Sequence, residues 1–490
     1  MSDRTRDLGN PAGLSPAGRR GDVAVLPRIG VGVLGCGNVG SALVRNLIED
    51  AEGIAGRCGM RLEVAGVAVA DPSKDRPGVP RSLLTSDAKS LVADASVDVV
   101  VELIGGVDPA MSLVEAALEA SKPVVTANKT LIALHGSELE AAAAAANVDL
   151  LYEAAVAGAI PLVRPLRESL AGERVTRVTG IVNGTTNFVL TTMSDEGISY
   201  DEALARAQEL GLAESDPSAD VEGYDAASKA AILAGIAFHC DVAAGDVRRE
   251  GIVGIRPLDI AFAERLGYVV KLLAVAERTD LSADRAATDL SADRAATDPG
   301  RGLASSVPDG GSPEVSVRVH PAMVPLSHPL AAVRGSFNAV FVEGETCDEL
   351  MFYGRGAGGV PTASAVLGDL IDAAHNFRSG VCSPVRRKAP ARIHPADDLR
   401  SAWYVSIDVV DRPGVLAAVA KVFGDNTVSI RSMEQVGLAE EARLVFLTHV
   451  ARQGDLESTL QGLSEVAAVE RIGGVMRVVG NAEAAGLGAS

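Results

Sequence analysis

One segment constrains this chain more than any other: the apolar run RIGVGVL at residues 28–34, followed at once by Gly35-Cys36-Gly37-Asn38-Val39-Gly40. The run reads as a buried strand. The three glycines are spaced to turn it tightly into a helix, to let backbone approach a pyrophosphate, and to let the helix pack close to the sheet. Leu43, Leu47 and Ile48 then share one face of a helix over 41–50. A glycine turn alone is weak evidence, since it serves packing as readily as nucleotide binding. Here the pattern repeats, with strands over 62–70, 97–104, 124–127 and 149–153 and helices over 111–120 and 130–146. Such alternation predicts a parallel sheet covered on both faces, an α/β dinucleotide-binding domain of the Rossmann type over residues 28–155.

From residue 161 the rhythm changes. A strand over 174–182, helices over 185–194, 200–210 and 223–240, and strands over 268–277, 314–320 and 337–343 predict a central α+β domain over 156–355. Inside it the segment LSADRAATD at 281–289 is repeated at 290–298, ahead of a Pro-, Gly- and Ser-rich stretch. That duplication is too short for a solenoid unit, and its charges fit a surface loop extension. Residues 383–400, with Pro384, Pro390 and Pro395 among five basic side chains, read as a linker with little secondary structure. Beyond it, a strand over 403–410, a helix over 415–423, strands over 428–435 and 443–450, a helix over 456–464 and a strand over 466–478 give the βαββαβ order of a ferredoxin-like domain over 401–480. Residues 1–27 and 481–490 read as tails.

With 490 residues the chain has room for about three such domains. Aromatic residues supply only 3% of it, so Ala, Val and Leu must fill the cores. A net charge of -19 repels phosphate backbones and excludes nucleic acid as a partner. Cys36, Cys58, Cys240, Cys347 and Cys382 are too scattered for the paired spacings of a zinc site, and their odd number fits a reducing cytoplasm. Arg4, Arg6, Arg19 and Arg20 occur near the start without an apolar core segment, and the apolar stretch 226–240 is too short to span a bilayer. A cytoplasmic protein is expected.

Candidate site residues follow from this frame. Asp71, at the end of the second strand, is placed to bind ribose hydroxyls, whereas nearby Lys74 and Arg76 suit a 2'-phosphate, so NAD and NADP stay open. Gly105 and Gly106 open space beside the cofactor position, and Lys129, in Thr126-Ala127-Asn128-Lys129, lies at the carboxyl edge of a parallel strand where open sheets bind ligands. Further on, Glu214, Asp216, Asp220 and Asp225 lead into Lys229. Asp225 and Lys229 stand four apart on one helical face, a spacing that also merely stabilises helices. Because residues 230–238 are almost wholly apolar, Lys229 marks the boundary between packed helix and polar cleft. Hydride transfer to a carbonyl builds negative charge on oxygen, which a nearby ammonium stabilises and protonates. His239 and Cys240 are adjacent, do not converge as ligands and read as packing residues.

The motifs GCGNVG, TANKT, YEAAVAGAIP, GIVNGTTNF, ELGLAESDPSADVEGYDAASK, VRVHPAMVP and YGRGAGGVPTASAV together resemble homoserine dehydrogenase of the monofunctional type with a carboxyl-terminal ACT domain, over residues 28–480. The resemblance implies reversible NAD(P)-dependent reduction of L-aspartate 4-semialdehyde to L-homoserine, on the route to threonine, methionine and isoleucine. It implies Lys229 as proton donor with Asp225 beside it, Glu214 and Asp225 as homoserine ligands, Asp220 as support, and Lys129 between cofactor and substrate. Gly211 and Gly359 join the cofactor side, with residues 356–382 packing back on the nucleotide domain. Glu153, Val156, Gly158 and Ile160 resemble a loop that binds a monovalent cation, sodium, through backbone oxygens. It further implies a homodimer or homotetramer built mainly on the central domain, and an L-threonine effector at the ACT domain, where Asp411-Arg412-Pro413-Gly414 and Asn426 mark strand–helix junctions. Ala70 departs from the arginine that many relatives carry there, which weakens an NADP-only reading. Another dehydrogenase of an amino-acid-derived alcohol, and a non-catalytic amino-acid sensor, are the competing classes; intact Lys129, Asp225 and Lys229 speak against the sensor.

Overall fold

The computed structural model describes residues 26–279, 312–383, 388–438 and 441–480. The tandem LSADRAATD segment, residues 1–25 of the leading tail and the last ten residues lie outside these. The nucleotide-side sheet comprises β1 (Arg28–Leu34), β2 (Arg61–Ala68), β3 (Leu84–Thr85), β4 (Val99–Glu102), β5 (Val124–Thr126) and β6 (Leu150–Leu151). All neighbours are parallel, in the order β3-β2-β1-β4-β5-β6. This is the doubly wound order, and its direction reverses between β1 and β4. Helices α1 (Asn38–Glu49), α2 (Ala51–Cys58), α3 (Ala88–Ala93), α4 (Ala110–Glu119) and α5 (Lys129–Ala146) connect the strands. Residues 51–58, expected only as an insertion, thus form a helix, and Asp87 caps α3 by accepting from Ser90 N.

The central part carries β7 (Val175–Ile181), α6 (Gly184–Glu196), α7 (Tyr200–Glu209), α8 (Ser218–Val221), α9 (Tyr224–Ala237), α10 (Pro257–Arg265), β8 (Tyr268–Arg278), β9 (Glu314–Pro325), β10 (Phe337–Gly344) and β11 (Asp348–Arg355). The helix expected over 223–240 stops at Ala237, and His239 adopts a positive φ of 52°. β9 runs well beyond residue 320, through Pro321. The carbonyls of Val319 and Met323 accept from Glu250 N and Val479 N rather than facing β8. Pro321, in step with them, therefore withholds no donor from the β8 ladder. The Ala-rich helix α9 is buried on nearly every face among Val178, Val182, Leu272 and Val319, which leaves no solvated side for an unpaired charge.

Helix α11 (Gly359–Ser379) returns to the nucleotide domain, where Ala363, Val366 and Leu370 share a core with Leu43 and Leu47 of α1. The stretch expected to lack structure contains two short strands: Ala389–Pro390 pairs with Cys240–Asp241, and Arg392–Ile393 with the start of β9. Lys388 also reaches back to the Glu140 carboxylate at 2.7 Å, so the linker is anchored at both domains. The terminal unit holds β12 (Arg400–Val410), α12 (Val415–Asp425), β13 (Ile430–Leu438), β14 (Glu441–Thr448), α13 (Gln453–Ser464) and β15 (Val469–Val478). It is joined edge to edge with the central sheet, because β15 pairs with β9 in parallel through Ala322 with Arg477 and Met323 with Val478. A continuous run, β11-β10-β7-β8-β9-β15-β12-β14-β13, results. Wholly buried Asp259 of α10 seals this seam by accepting from Tyr404 Oη and Ser406 Oγ, each at 3.1 Å. Among the described residues no helix is long and apolar enough to cross a membrane.

Candidate active site

Each glycine of the first turn meets a different constraint. Gly35 has φ 95°, and a Cβ there would lie 2.6 Å from the Leu103 carbonyl; one on Gly40 would lie 2.3 Å from the Gly35 carbonyl. A Cβ on Gly37 meets nothing within 4 Å. The outer two glycines therefore serve the backbone fold, and the middle one leaves open space. Gly37 is also the N-cap of α1, and no side chain caps that helix. Its first-turn N–H groups, beside exposed Asn38 and half-buried Val39, remain free for phosphate oxygens. Gly359 brings the start of α11 to the same place, since a Cβ on it would lie 2.9 Å from the Asn38 carbonyl. These features fit a dinucleotide.

At the end of β2, Asp71 accepts from Ser73 N at 2.9 Å and Ser73 Oγ at 2.6 Å, and these bonds hold its pKa below the ordinary carboxylate value. Arg76 reaches over the glycine turn: its Nε donates to the Cys36 carbonyl at 3.2 Å, and Nη1 to the carbonyls of Asp71 and Lys74. Lys74 is exposed. Across the sheet switch, Glu102 accepts from Ile104 N, Gly105 N and Thr126 Oγ1. Asn128 Nδ2 donates to the Gly106 carbonyl at 2.6 Å while its Oδ1 caps α5 at Leu131 N. The glycine loop after β4 and Lys129, the first residue of α5, are thereby fixed together.

Asp225 is the hub of the polar cluster. Its Oδ2 accepts from Lys229 Nζ at 2.7 Å and from Asn183 Nδ2 at 2.9 Å, and its Oδ1 pairs with Lys129 Nζ. Lys229 Nζ also donates to the Val182 carbonyl at 2.7 Å, and Asn183 Nδ2 to Asp220 Oδ1 at 2.7 Å. Burial works against a charged Asp225, but the Lys229 and Lys129 ammoniums outweigh it and hold its pKa well below the carboxylate range. The Lys229 side chain is 11% exposed and that of Lys129 44%. One ammonium is thus locked in the interior and the other looks outward. Glu214 is exposed and, among the described residues, makes no hydrogen bond to this cluster; its backbone carbonyl accepts from Gln208 Nε2 at 3.0 Å. Gly211, with φ 69°, ends the turn after α7 and is exposed.

The loop 153–160 lies against α11. Glu153 takes the N–H groups of Val163 at 2.7 Å and Arg164 at 2.8 Å, and its own N–H goes to Asp369, whose pKa burial pushes up to about 7. Ala157 and Gly158 both have positive φ, and a Cβ on Gly158 would lie 2.3 Å from the Gly356 carbonyl. Val156, Gly158 and Ile160 are buried, yet no hydrogen bond from another described residue occupies their carbonyl oxygens. Oxygens left in that state suit a cation held by backbone. No cluster of three or more His, Cys, Asp or Glu side chains fit for a metal occurs among the described residues. Cys240 is fully buried, and burial raises its thiol pKa to about 12, as befits packing.

Asn183 and the Val182 carbonyl were not singled out from sequence as parts of this site. Asn-Gly at a strand-to-helix junction signals an N-cap, and Asn183 Oδ1 does accept from Thr186 N at 2.9 Å. A carbonyl carries no residue signature.

Three family descriptions match the chain: "Homoserine dehydrogenase, NAD binding domain" over residues 35–153, "Homoserine dehydrogenase" over 161–371, and "ACT domain" over 403–468. The curated homoserine dehydrogenase of Mycobacterium tuberculosis is 49% identical over 459 residues, covering 92% of this chain and 98% of the relative. A crystal structure of a homoserine dehydrogenase from Thiobacillus denitrificans superposes with a TM-score of 0.80 at 36% identity, covering 92% and 98% of the two chains. A hyperthermophilic archaeal homoserine dehydrogenase in complex with NADPH superposes at 0.56 and 26% identity, covering 73% of this chain and all of that one. With an open glycine cradle at the start of α1, a buried lysine–aspartate pair on α9, and relatives this similar over nearly its whole length, the chain belongs to the homoserine dehydrogenase family, an oxidoreductase with a nicotinamide-binding domain and a terminal ACT domain.

Proposed function

We propose that Lys229 is the proton donor in the reversible reduction of L-aspartate 4-semialdehyde to L-homoserine, and that the grip of Asp225 on two ammonium groups carries the reading. The bound nicotinamide supplies or takes the hydride. An ammonium has three donors. Lys229 spends one on Asp225 and one on the Val182 carbonyl, which leaves one N–H for the aldehyde oxygen. As charge grows on that oxygen, a fixed donor in a dry site needs no reorganisation to meet it. Lys129 adds a second positive charge at the cleft edge, between cofactor and substrate. Asp220, with exposed Glu214, offers carboxylate to the substrate ammonium.

The glycine turn, Asn38, Val39, Gly211 and Gly359 hold the nicotinamide nucleotide, with Asp71, Lys74 and Arg76 at its ribose end. Arg76 already lies over the Cys36 carbonyl, which favours a 2'-phosphate there. The carbonyls of Glu153, Val156, Gly158 and Ile160 hold sodium. Replacing sodium by choline at constant ionic strength then lowers activity; an unchanged rate contradicts that assignment. The chain acts in the cytoplasm as a homodimer or homotetramer, which light scattering across the working concentration tests, and an active monomer contradicts it. L-Threonine binds the ACT domain near Gly414, whose φ of 91° turns β12 into uncapped α12. The activity itself is tested by homoserine-dependent reduction of each nicotinamide cofactor, followed by absorbance.

A further inference from the structure

We infer that Asn183 is a positioning residue for the reaction, bridging the Asp220 and Asp225 carboxylates with the two hydrogens of its amide so that Lys229 is held against Asp225 in one arrangement. The inference rests on Lys229 as proton donor. Spacing on α9 alone does not fix the pair, because Asp225 and Lys229 are flexible side chains on one helix. What fixes them comes from outside that helix, at the corner between β7 and α6. Residue 182 supplies the carbonyl that takes Lys229 Nζ at 2.7 Å, and residue 183 supplies the amide that takes Asp225 Oδ2 at 2.9 Å. The same Nδ2 takes Asp220 Oδ1 at 2.7 Å. Its Oδ1 accepts from Thr186 N at 2.9 Å and Thr186 Oγ1 at 3.0 Å. Both donors of the amide and its oxygen are therefore in use, on a residue only 5% exposed.

An amide is the fitting group at this point. Two carboxylates facing one another repel, and a neutral double donor between them removes the conflict without competing for the lysines. Aspartate in its place keeps the helix cap and loses both donors. Serine also keeps the cap but is too short to bridge. Alanine loses everything.

Cap and bridge can therefore be separated in the full-length protein. Asn183→Ser is expected to melt near the wild-type temperature, whereas Asn183→Asp sets a third carboxylate beside Asp220 and Asp225 and is expected to melt lower; both are expected to keep the wild-type KM for the nicotinamide cofactor. Their kcat for homoserine oxidation is expected to fall roughly 10²-fold, the scale of a small misplacement of reacting groups. Wild-type kcat in both single variants, with loss confined to the melting temperature of Asn183→Ala, would reduce Asn183 to a helix cap and overturn the inference. Lys229→Ala serves as the separate control: if it keeps full kcat, the proton-donor reading fails whatever Asn183 does.

Discussion

A carboxylate with 4% of its side chain exposed survives at Asp225 because three donors converge on it. Removing one of them should be tolerated better than removing the carboxylate itself, which would strand two ammonium groups. Lys229→Ala is accordingly predicted to fold, to bind cofactor normally in a fluorescence titration, and to lose about 10²- to 10⁴-fold in kcat, the worth of a positioned general acid. Asp225→Asn acts on both lysines and should impair kcat and the KM for homoserine together. A different lysine gives a pH signature. Lys271 Nζ is buried against Asn187 Oδ1 and the Val333 carbonyl, with no carboxylate bonded to it among the described residues, and burial lowers its pKa to about 8. Between about pH 8 and the unfolded lysine pKa near 10.4, the unfolded chain binds more protons, so stability from this group rises with pH. Melting of wild type against Lys271→Met across that window should show a steeper rise with pH in wild type than in the variant. At this scale Asp225 and Lys229 stood out in sequence because charge at the rim of an apolar helix needs explaining, and Lys129 because it lies at the carboxyl edge of a parallel strand. Asn183 read as a cap, which it also is, and the carbonyls of the 153–160 loop left no mark on residue type.

Strand-to-helix alternation made the long elements legible, since β1, β4 and α4 are each set by a period of apolar residues that tertiary packing then uses. Short elements were not. β3 and the two linker strands span two residues apiece, too few for any period, and they exist only because a neighbouring edge supplies partners. β11 was missed as an edge strand: its residues stay largely exposed or half-buried, and only β10 defines it. The glycine turn allows a test of element against site. Gly40→Ala drives a Cβ to 2.3 Å from the Gly35 carbonyl and should cost about 1–3 kcal/mol of stability, as overpacking does. Gly37→Ala meets no protein atom within 4 Å and should melt like wild type while raising the KM for the nucleotide. Equal loss of stability in both variants would argue for a packing turn.

Across the whole molecule, the ACT domain and helix α9 are linked by a short physical route. β15 is hydrogen-bonded to β9, and Arg477 Nη1 of β15 pairs with Glu250 Oε1 at 2.9 Å. Glu250 N in turn donates to the Val319 carbonyl, and a Cβ on Gly223, the N-cap of α9, would lie 3.3 Å from Val319 Cγ1. None of this was visible in sequence, where the linker suggested separate units; the edge-to-edge pairing depends on which strand edges are left open after folding. If threonine acts through this seam, Glu250→Ala should raise the threonine concentration for half-inhibition several-fold, about 1 kcal/mol of coupling, with little change in the uninhibited rate. Loss of threonine binding itself would instead place Glu250 in the effector site. The most direct test of the whole is the steady-state rate of homoserine-dependent nicotinamide reduction by the folded full-length chain in sodium-containing buffer, beside Lys229→Ala. Turnover by wild type with NAD or NADP, lost on Lys229→Ala while cofactor binding persists, is the predicted result; no homoserine-dependent turnover with either cofactor, or full turnover without Lys229, would contradict it.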